Sequence, residues 1–252
     1  MTQERTTQER AAAQYDVIGA RWEDARSLPT VHPERASFLA LLGDVTGLDV
    51  LDLACGDGFY TRQAKLLGAD RVVGADVSEE MVAAARAAEE RAPLGTRYVT
   101  ADAADLPDLG RFDVVTAAYL LNYARDEETL TAMCRGAFER LPQGGRFLGV
   151  TQNPSFSFDG PPPAPYGFAF DPLETSAFGT RIRVTAALEP PITFETCLIR
   201  PEVYEAAFAA AGFARLSWVP LHVPDAARER FGAAYWDGFL ANPPIVMFEA
   251  RR

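Results

Sequence analysis

A chain of 252 residues with a formal net charge of −11 has room for one large domain or a core domain with an insertion, and its acidity argues against nucleic acid as a partner, because phosphate binding needs clustered Lys and Arg. Its 48% hydrophobic and 23% charged residues are those of an ordinary globular protein; no apolar run approaches the ~18 residues of a membrane span, and residues 1–10 are polar where a secretory signal would be apolar. Cys55, Cys134 and Cys197 are far apart and without zinc spacing, and only His32 and His222 could join them, so no metal site is expected and a reduced, cytoplasmic setting is the default.

Residues 11–27 place Tyr15, Ile18 and Trp22 on one face of an amphipathic helix, which Leu28-Pro29 ends. A second helix carries Pro33 at its start, Phe38, Leu41 and Leu42 as apolar positions, and Gly43 near its end. Together residues 1–45 form a helical cover. Alternation then begins: strand 49–55, helix 58–67, strand 71–77, helix 78–91, strand 96–102, strand 112–118, helix 126–140 and strand 146–151. Ser78 is a candidate N-cap, and Glu79 and Glu80 suit the helix dipole. Residues 154–180 hold Pro161-Pro162-Pro163 and many aromatics, too aromatic for a disordered linker. Residues 153–200 therefore read as an ordered lid or insertion, with 181–188 and 192–199 as a pair of strands. Helix 201–211, strand 213–221, helix 225–240 and strand 245–250 close the fold. The order predicts one α/β domain over 1–252, a doubly wound, mostly parallel seven-stranded sheet.

The organising stretch is Val50-Leu51-Asp52-Leu53-Ala54-Cys55-Gly56-Asp57-Gly58-Phe59. It is a buried strand that runs into a glycine turn and opens a helix. Two glycines spaced by one residue let backbone N–H groups approach a ligand. Asp52 precedes that turn, Asp76 ends the second strand and Asp102 the third. In an open α/β sheet the ligand lies beyond the carboxyl ends of the strands, so the three acids converge on one site. They would repel a phosphate and suit a ligand with hydroxyls, amines and positive charge.

Asp52-Leu53-Ala54-Cys55-Gly56-Asp57-Gly58 resembles motif I of class I S-adenosylmethionine-dependent methyltransferases. Gly74-Ala75-Asp76-Val77-Ser78-Glu79-Glu80-Met81 resembles the second motif, Ala101-Asp102-Ala103 the third, and Phe112-Asp113-Val114-Val115 the fourth. The set covers residues 11–152, and Tyr15-Asp16-Val17-Ile18-Gly19 with Leu51 to Tyr60 looks most like the toxoflavin-biosynthesis-type small-molecule branch. Ala54 replaces the usual first glycine. The resemblance implies a Rossmann-like methyltransferase fold and S-adenosyl-L-methionine as cofactor. It implies that Asp76 accepts from the ribose hydroxyls and that Val77 and Met81 pack on the adenine. Asp102 and Ala103 would read the adenine edge; Ala54 and Gly56 would line the methionine part, with Asp52 steering its ammonium. Ala118 and Tyr119 would close the floor, Arg26 could meet the cofactor carboxylate, and Tyr15 and Trp22 would lie over the cofactor or face the core instead. Asp113 is expected to hold local structure.

A dinucleotide site is the rival reading, but Thr61 stands where its third glycine belongs and Asp57 would face a pyrophosphate. A non-catalytic partner protein that keeps the fold is the other alternative. For methyl transfer the acceptor is expected to be a small, flat heteroaromatic or natural-product-type molecule, methylated at N or O, in antibiotic or other secondary metabolism, by a monomer or homodimer without nucleic acid or membrane. No acid–base motif stands out; His222 is the candidate base. Acceptor contacts are expected from Tyr119, Asn122, Phe156, Tyr166, His222 and Trp236. Asn122 could instead start a helix, the aromatics could instead be a satellite core, and His222 a surface histidine.

Overall fold

The computed structural model describes the backbone of residues 19–252 and side chains from residue 23 onward. Tyr15 and the Trp22 side chain lie outside the described residues. Of the first expected helix, the described part, Gly19–Ser27, is a 3-10 helix. The second is α1 (Val31–Leu42), ended by Gly43 at φ 68°.

The alternating core follows: β1 (Val50–Leu53), α2 (Phe59–Leu66), β2 (Val72–Asp76), α3 (Glu79–Arg91), β3 (Arg97–Thr100), β4 (Val114–Ala118), α4 (Glu127–Glu139) and β5 (Arg146–Gln152). Helix starts are set by capping: the Ser78 hydroxyl accepts from Met81 N at 3.2 Å and the Asp126 carboxylate from Thr129 N at 2.7 Å. The insertion holds three strands, β6 (Phe168–Thr175), β7 (Gly179–Ala186) and β8 (Ile192–Ile199), paired antiparallel as their own sheet. The expected pair is thus a trio, because the aromatic run at Phe168 and Phe170 adds a strand to it. Then come α5 (Pro201–Ala211), β9 (Arg215–Val219), α6 (Asp225–Phe231), α7 (Asp237–Ala241) and β10 (Ile245–Arg251). The single helix expected over 225–240 is broken at Gly232, which sits at φ 91° and cannot continue an α-helix.

The main sheet runs β3-β2-β1-β4-β5-β10-β9, with β10 antiparallel to both neighbours. The strand order reverses between β1 and β4. Neighbouring residues feed opposite cores, as the two-residue period demands. Val50, Val72, Val114 and Leu148 join Phe38 and Leu42 on one face. Leu51, Val73, Val115 and Phe147 join Phe208 and Phe248 on the other. With both faces covered, the strands read as continuous apolar runs. The insertion sheet packs Ile182, Val184 and Phe194 against Ala25 and Leu28, which brings it to the carboxyl ends of the main strands.

Candidate active site

The turn after β1 is held in left-handed backbone at Ala54 (φ 54°), Gly56 (φ 55°) and Gly58 (φ 85°). A Cβ on Gly58 would come within 2.5 Å of the Tyr98 hydroxyl, whereas one on Gly56 would meet nothing within 4 Å. Gly58 is thus demanded by packing, and Gly56 faces open space. Ala54 tolerates a conformation that costs an L-residue about 1–2 kcal/mol.

Asp76, at the end of β2, ties two turns together. Its Oδ2 accepts from Gly56 N at 2.8 Å and its Oδ1 from Ser78 N at 2.9 Å. Asp52 is 1% exposed. Its oxygens accept from the Thr61 hydroxyl at 2.7 Å and the Thr116 hydroxyl at 2.8 Å. Burial outweighs those bonds and pushes its pKa up to about 6. Asp102 accepts from Ala104 N at 2.9 Å, and burial raises its carboxyl as well. Asp113 accepts from Asp49 N, a local structural role.

These groups line one cleft. Asp52, Ala54, Gly56, Asp76 and Val77 face it, with Met81, Asp102, Ala103 and Ala118. The cleft opens to solvent, and its empty space, counted out to open solvent, is about 1660 Å³. Among the described lining residues, five are carboxylates (Glu34, Asp52, Asp57, Asp76, Asp102) and Arg26 is the cation. Arg26 is committed to Asp57, with both carboxylate oxygens at 2.5 Å, and stacks over Phe59. Asp57 therefore does not present a bare charge, which weakens one argument against a pyrophosphate. The net field still favours a cationic, hydroxyl-bearing ligand.

The acceptor-side expectations divide. Tyr119 lines the cleft, as do Phe168, Phe170 and Phe194 from the insertion sheet. Asn122 does not: it is buried, donates to the Thr196 hydroxyl at 2.7 Å, and borders a second cavity. Phe156 packs edge-on against Phe158 and Phe170 in the core of the insertion. Tyr166 and Trp236 belong to a satellite core with Val223, Ala227 and Phe239, the Tyr166 hydroxyl donating to Tyr235 O and the Trp236 indole to Ala227 O. His222 is exposed and pairs with Ser37, whose hydroxyl lies 3.2 Å from its Nδ1, outside the cleft. The candidate base is therefore not at the site. His32 packs edge-on against Phe231. No group of three His, Cys, Asp or Glu among the described residues could hold a metal.

Sequence reasoning missed Glu34, Tyr60 and Gln152. Glu34 lies in the first turn of α1 and is 8% exposed. Its oxygens accept from the Tyr60 hydroxyl at 2.8 Å and the Tyr119 hydroxyl at 2.6 Å. An acid in a first helical turn carries only the signal of a dipole partner. Gln152 ends β5, and the strand-end logic that found Asp76 applies to it equally.

Comparison with known proteins adds the family. Residues 50–145 match the model of a methyltransferase domain. They are a class I S-adenosylmethionine-dependent methyltransferase domain. The chain is 36% identical over 126 residues to a demethylmenaquinone methyltransferase from Lactococcus lactis, a match covering 48% of this chain and 49% of that protein. It is 30% identical over 151 residues to a ubiquinone biosynthesis O-methyltransferase from Pseudomonas aeruginosa, covering 56% and 63%. The chain thus spans between half and under two thirds of the length of these relatives. In fold it superposes on an S-adenosylmethionine-dependent methyltransferase from Mesorhizobium loti with a TM-score of 0.62 at 24% identity, covering 87% of this chain and 98% of that one. The residues present fit S-adenosylmethionine: an open turn at Gly56, an acid at the end of β2 and an excess of negative charge. No described helix is long and apolar enough to cross a membrane.

Proposed function

We propose that this chain transfers a methyl group from S-adenosylmethionine to N or O of a small, flat, heteroaromatic or natural-product-type acceptor. The observation that carries this reading is one cleft with two unlike halves. The ends of β1, β2 and β3 supply carboxylates and an open glycine turn; Tyr119 after β4 and the insertion sheet supply aromatic walls.

When bound, S-adenosylmethionine supplies a methyl group already activated on a sulfonium. Asp76, preorganised by two backbone amides, accepts from the ribose hydroxyls as charge-assisted bonds. Val77, Met81 and Ala103 flank the adenine, and Asp102 reads its edge. Asp52 and the 54–58 turn hold the methionine part, where negative charge opposes the cofactor's cations. What remains is alignment of the acceptor, and positioning alone contributes up to about 7–11 kcal/mol in favourable cases. Phe168, Phe170 and Phe194 are the groups placed to clamp a flat ring. The relatives named for demethylmenaquinone and for O-methylation in ubiquinone biosynthesis support a ring-bearing acceptor, and the narrower likeness to toxoflavin-type enzymes supports a heteroaromatic one.

Isothermal titration with S-adenosylhomocysteine tests the reading: saturable binding is expected, and its absence would refute it. Asp76→Ala should weaken that binding at least about tenfold, the loss of one or two charged hydrogen bonds. Unchanged affinity would place the ribose elsewhere.

A further inference from the structure

The cofactor reading leaves one group in the cleft unexplained. Glu34 is buried, its partners are two phenols, and no Lys or Arg pairs with it among the described residues. A carboxylate buried without a counter-cation is costly and is kept where it has work to do. Of the other cleft acids, Asp57 has Arg26 and Asp76 holds two backbone amides; Asp52 is held by two hydroxyls as Glu34 is, but the cofactor reading already gives it the methionine part.

Glu34 meets Tyr119 just past β4 and Tyr60 at the start of α2, in the cleft that Phe168, Phe170 and Phe194 also line. Tyr119 is held at φ 60°, strained for a non-glycine residue, and such strain clusters at functional sites. Gln152 lines the same cleft, is 4% exposed, and its carboxamide oxygen has no hydrogen-bond partner among the described residues. A buried, unpartnered amide is uncommon in a folded chain, and rotation about its last torsion can present either oxygen or nitrogen to a ligand. Tyr119 N donates to Val150 O at 2.9 Å, two residues before Gln152, so both polar features line the cleft by the adjacent ends of β4 and β5.

We propose that Glu34, held by Tyr60 and Tyr119 and joined by Gln152, is the hydrogen-bond and proton acceptor for the methyl acceptor, and selects molecules carrying a neutral N–H or O–H on a flat apolar body. The assignment rests on the methyl-transfer reading of the cleft. In the step it serves, the acceptor heteroatom forms its new bond to the methyl carbon with its own lone pair. The carbon–sulfur bond breaks with its electron pair going to sulfur, and the heteroatom's proton passes to a Glu34 oxygen. A methylated acceptor, a neutral thioether and protonated Glu34 result, and solvent returns Glu34 to its starting form. Burial raises the Glu34 carboxyl above its ordinary range, which improves it as a base. A purely mechanical role, in which Glu34 struts α1 against α2 and β4, predicts lost stability but no preference among acceptors.

The test is titration of 2-naphthol and of 2-methoxynaphthalene, which share a flat body but differ in the donor, into the protein saturated with S-adenosylhomocysteine. The naphthol is expected to bind about tenfold or more tightly than the ether, the worth of one hydrogen bond to a charged group. Glu34→Gln, whose amide oxygen accepts only a neutral bond, should reduce that preference at least about threefold while leaving S-adenosylhomocysteine affinity within about threefold. Equal affinities in the native chain, a preference unchanged by Glu34→Gln, or binding of neither probe would overturn the assignment while the methyl-transfer reading stood. Failure of the native chain to bind S-adenosylhomocysteine would overturn both. Should Glu34→Gln not fold, Gln152→Leu removes a carboxamide whose oxygen nothing else engages; it should reduce the preference at least about threefold, and an unchanged preference would overturn the proposal.

Discussion

Asp52 offers a measurement of how dry the floor of the cleft is. Its carboxyl has a pKa of about 6 in the folded chain against 3.8 when free. The folded chain therefore keeps a proton that the unfolded chain has given up, so stability falls as pH rises through the window from 3.8 to about 6. A rise of about two units is worth roughly 3 kcal/mol at 1.36 kcal/mol per unit, with about 2 of it falling between about pH 4 and pH 8. Asp52→Asn removes the titration while an amide can still bond both threonine hydroxyls. Urea unfolding of the two proteins across that pH range isolates the effect, because carboxylates that do not feel the Asp52 charge, as Asp76 does, cancel in the difference. The variant should gain about 2 kcal/mol on the native protein from the acid to the alkaline end of the range. A difference constant within about 0.5 kcal/mol would show that the two hydroxyls offset the burial and that Asp52 has an ordinary carboxyl.

Gly58→Ala should lower the unfolding free energy by about 1–3 kcal/mol, from the left-handed backbone and the clash with Tyr98; a melting temperature equal to that of the native chain would contradict the packing. Asn122→Ala should cost about 0.5–1.5 kcal/mol by removing an amide that bonds the Thr196 and Thr151 hydroxyls, which keep the Asn122 carbonyl and the Tyr204 hydroxyl as partners, with S-adenosylhomocysteine affinity unchanged by titration; weakened binding would return Asn122 to the site. His222→Ala should leave turnover within about twofold at every pH, since no other cleft group leans on it; a pH profile that loses a limb would reinstate it as a base.

The carboxylate-lined half of the cleft was legible from the chain because its signals are local. Strand runs ending in Asp52, Asp76 and Asp102 announce themselves through a two-residue period and a following cap, all within a few positions. Glycines at 56 and 58 mark a turn that few other residues can make. The aromatic half was not legible in this way. Phe156, Phe168, Tyr166 and Trp236 have the same chemistry in sequence, yet Phe168 walls the cleft, Phe156 fills the insertion core, and Tyr166 and Trp236 stack in a satellite core. His222 had the right residue type at the end of the right strand and still faces outward against Ser37.

Amino-acid order alone determined the alternation of strand and helix, the glycine turn and the row of acids beyond the strands, since each follows from backbone preferences and side-chain period over short spans. Only the tertiary structure decided which distant residues share the cleft with them. Glu34 meets Tyr60 and Tyr119 across separations of 26 and 85 positions, and Gln152 is brought there by β5. Contacts of that kind arise from how helices and a second sheet pack on the first, and no local period encodes them.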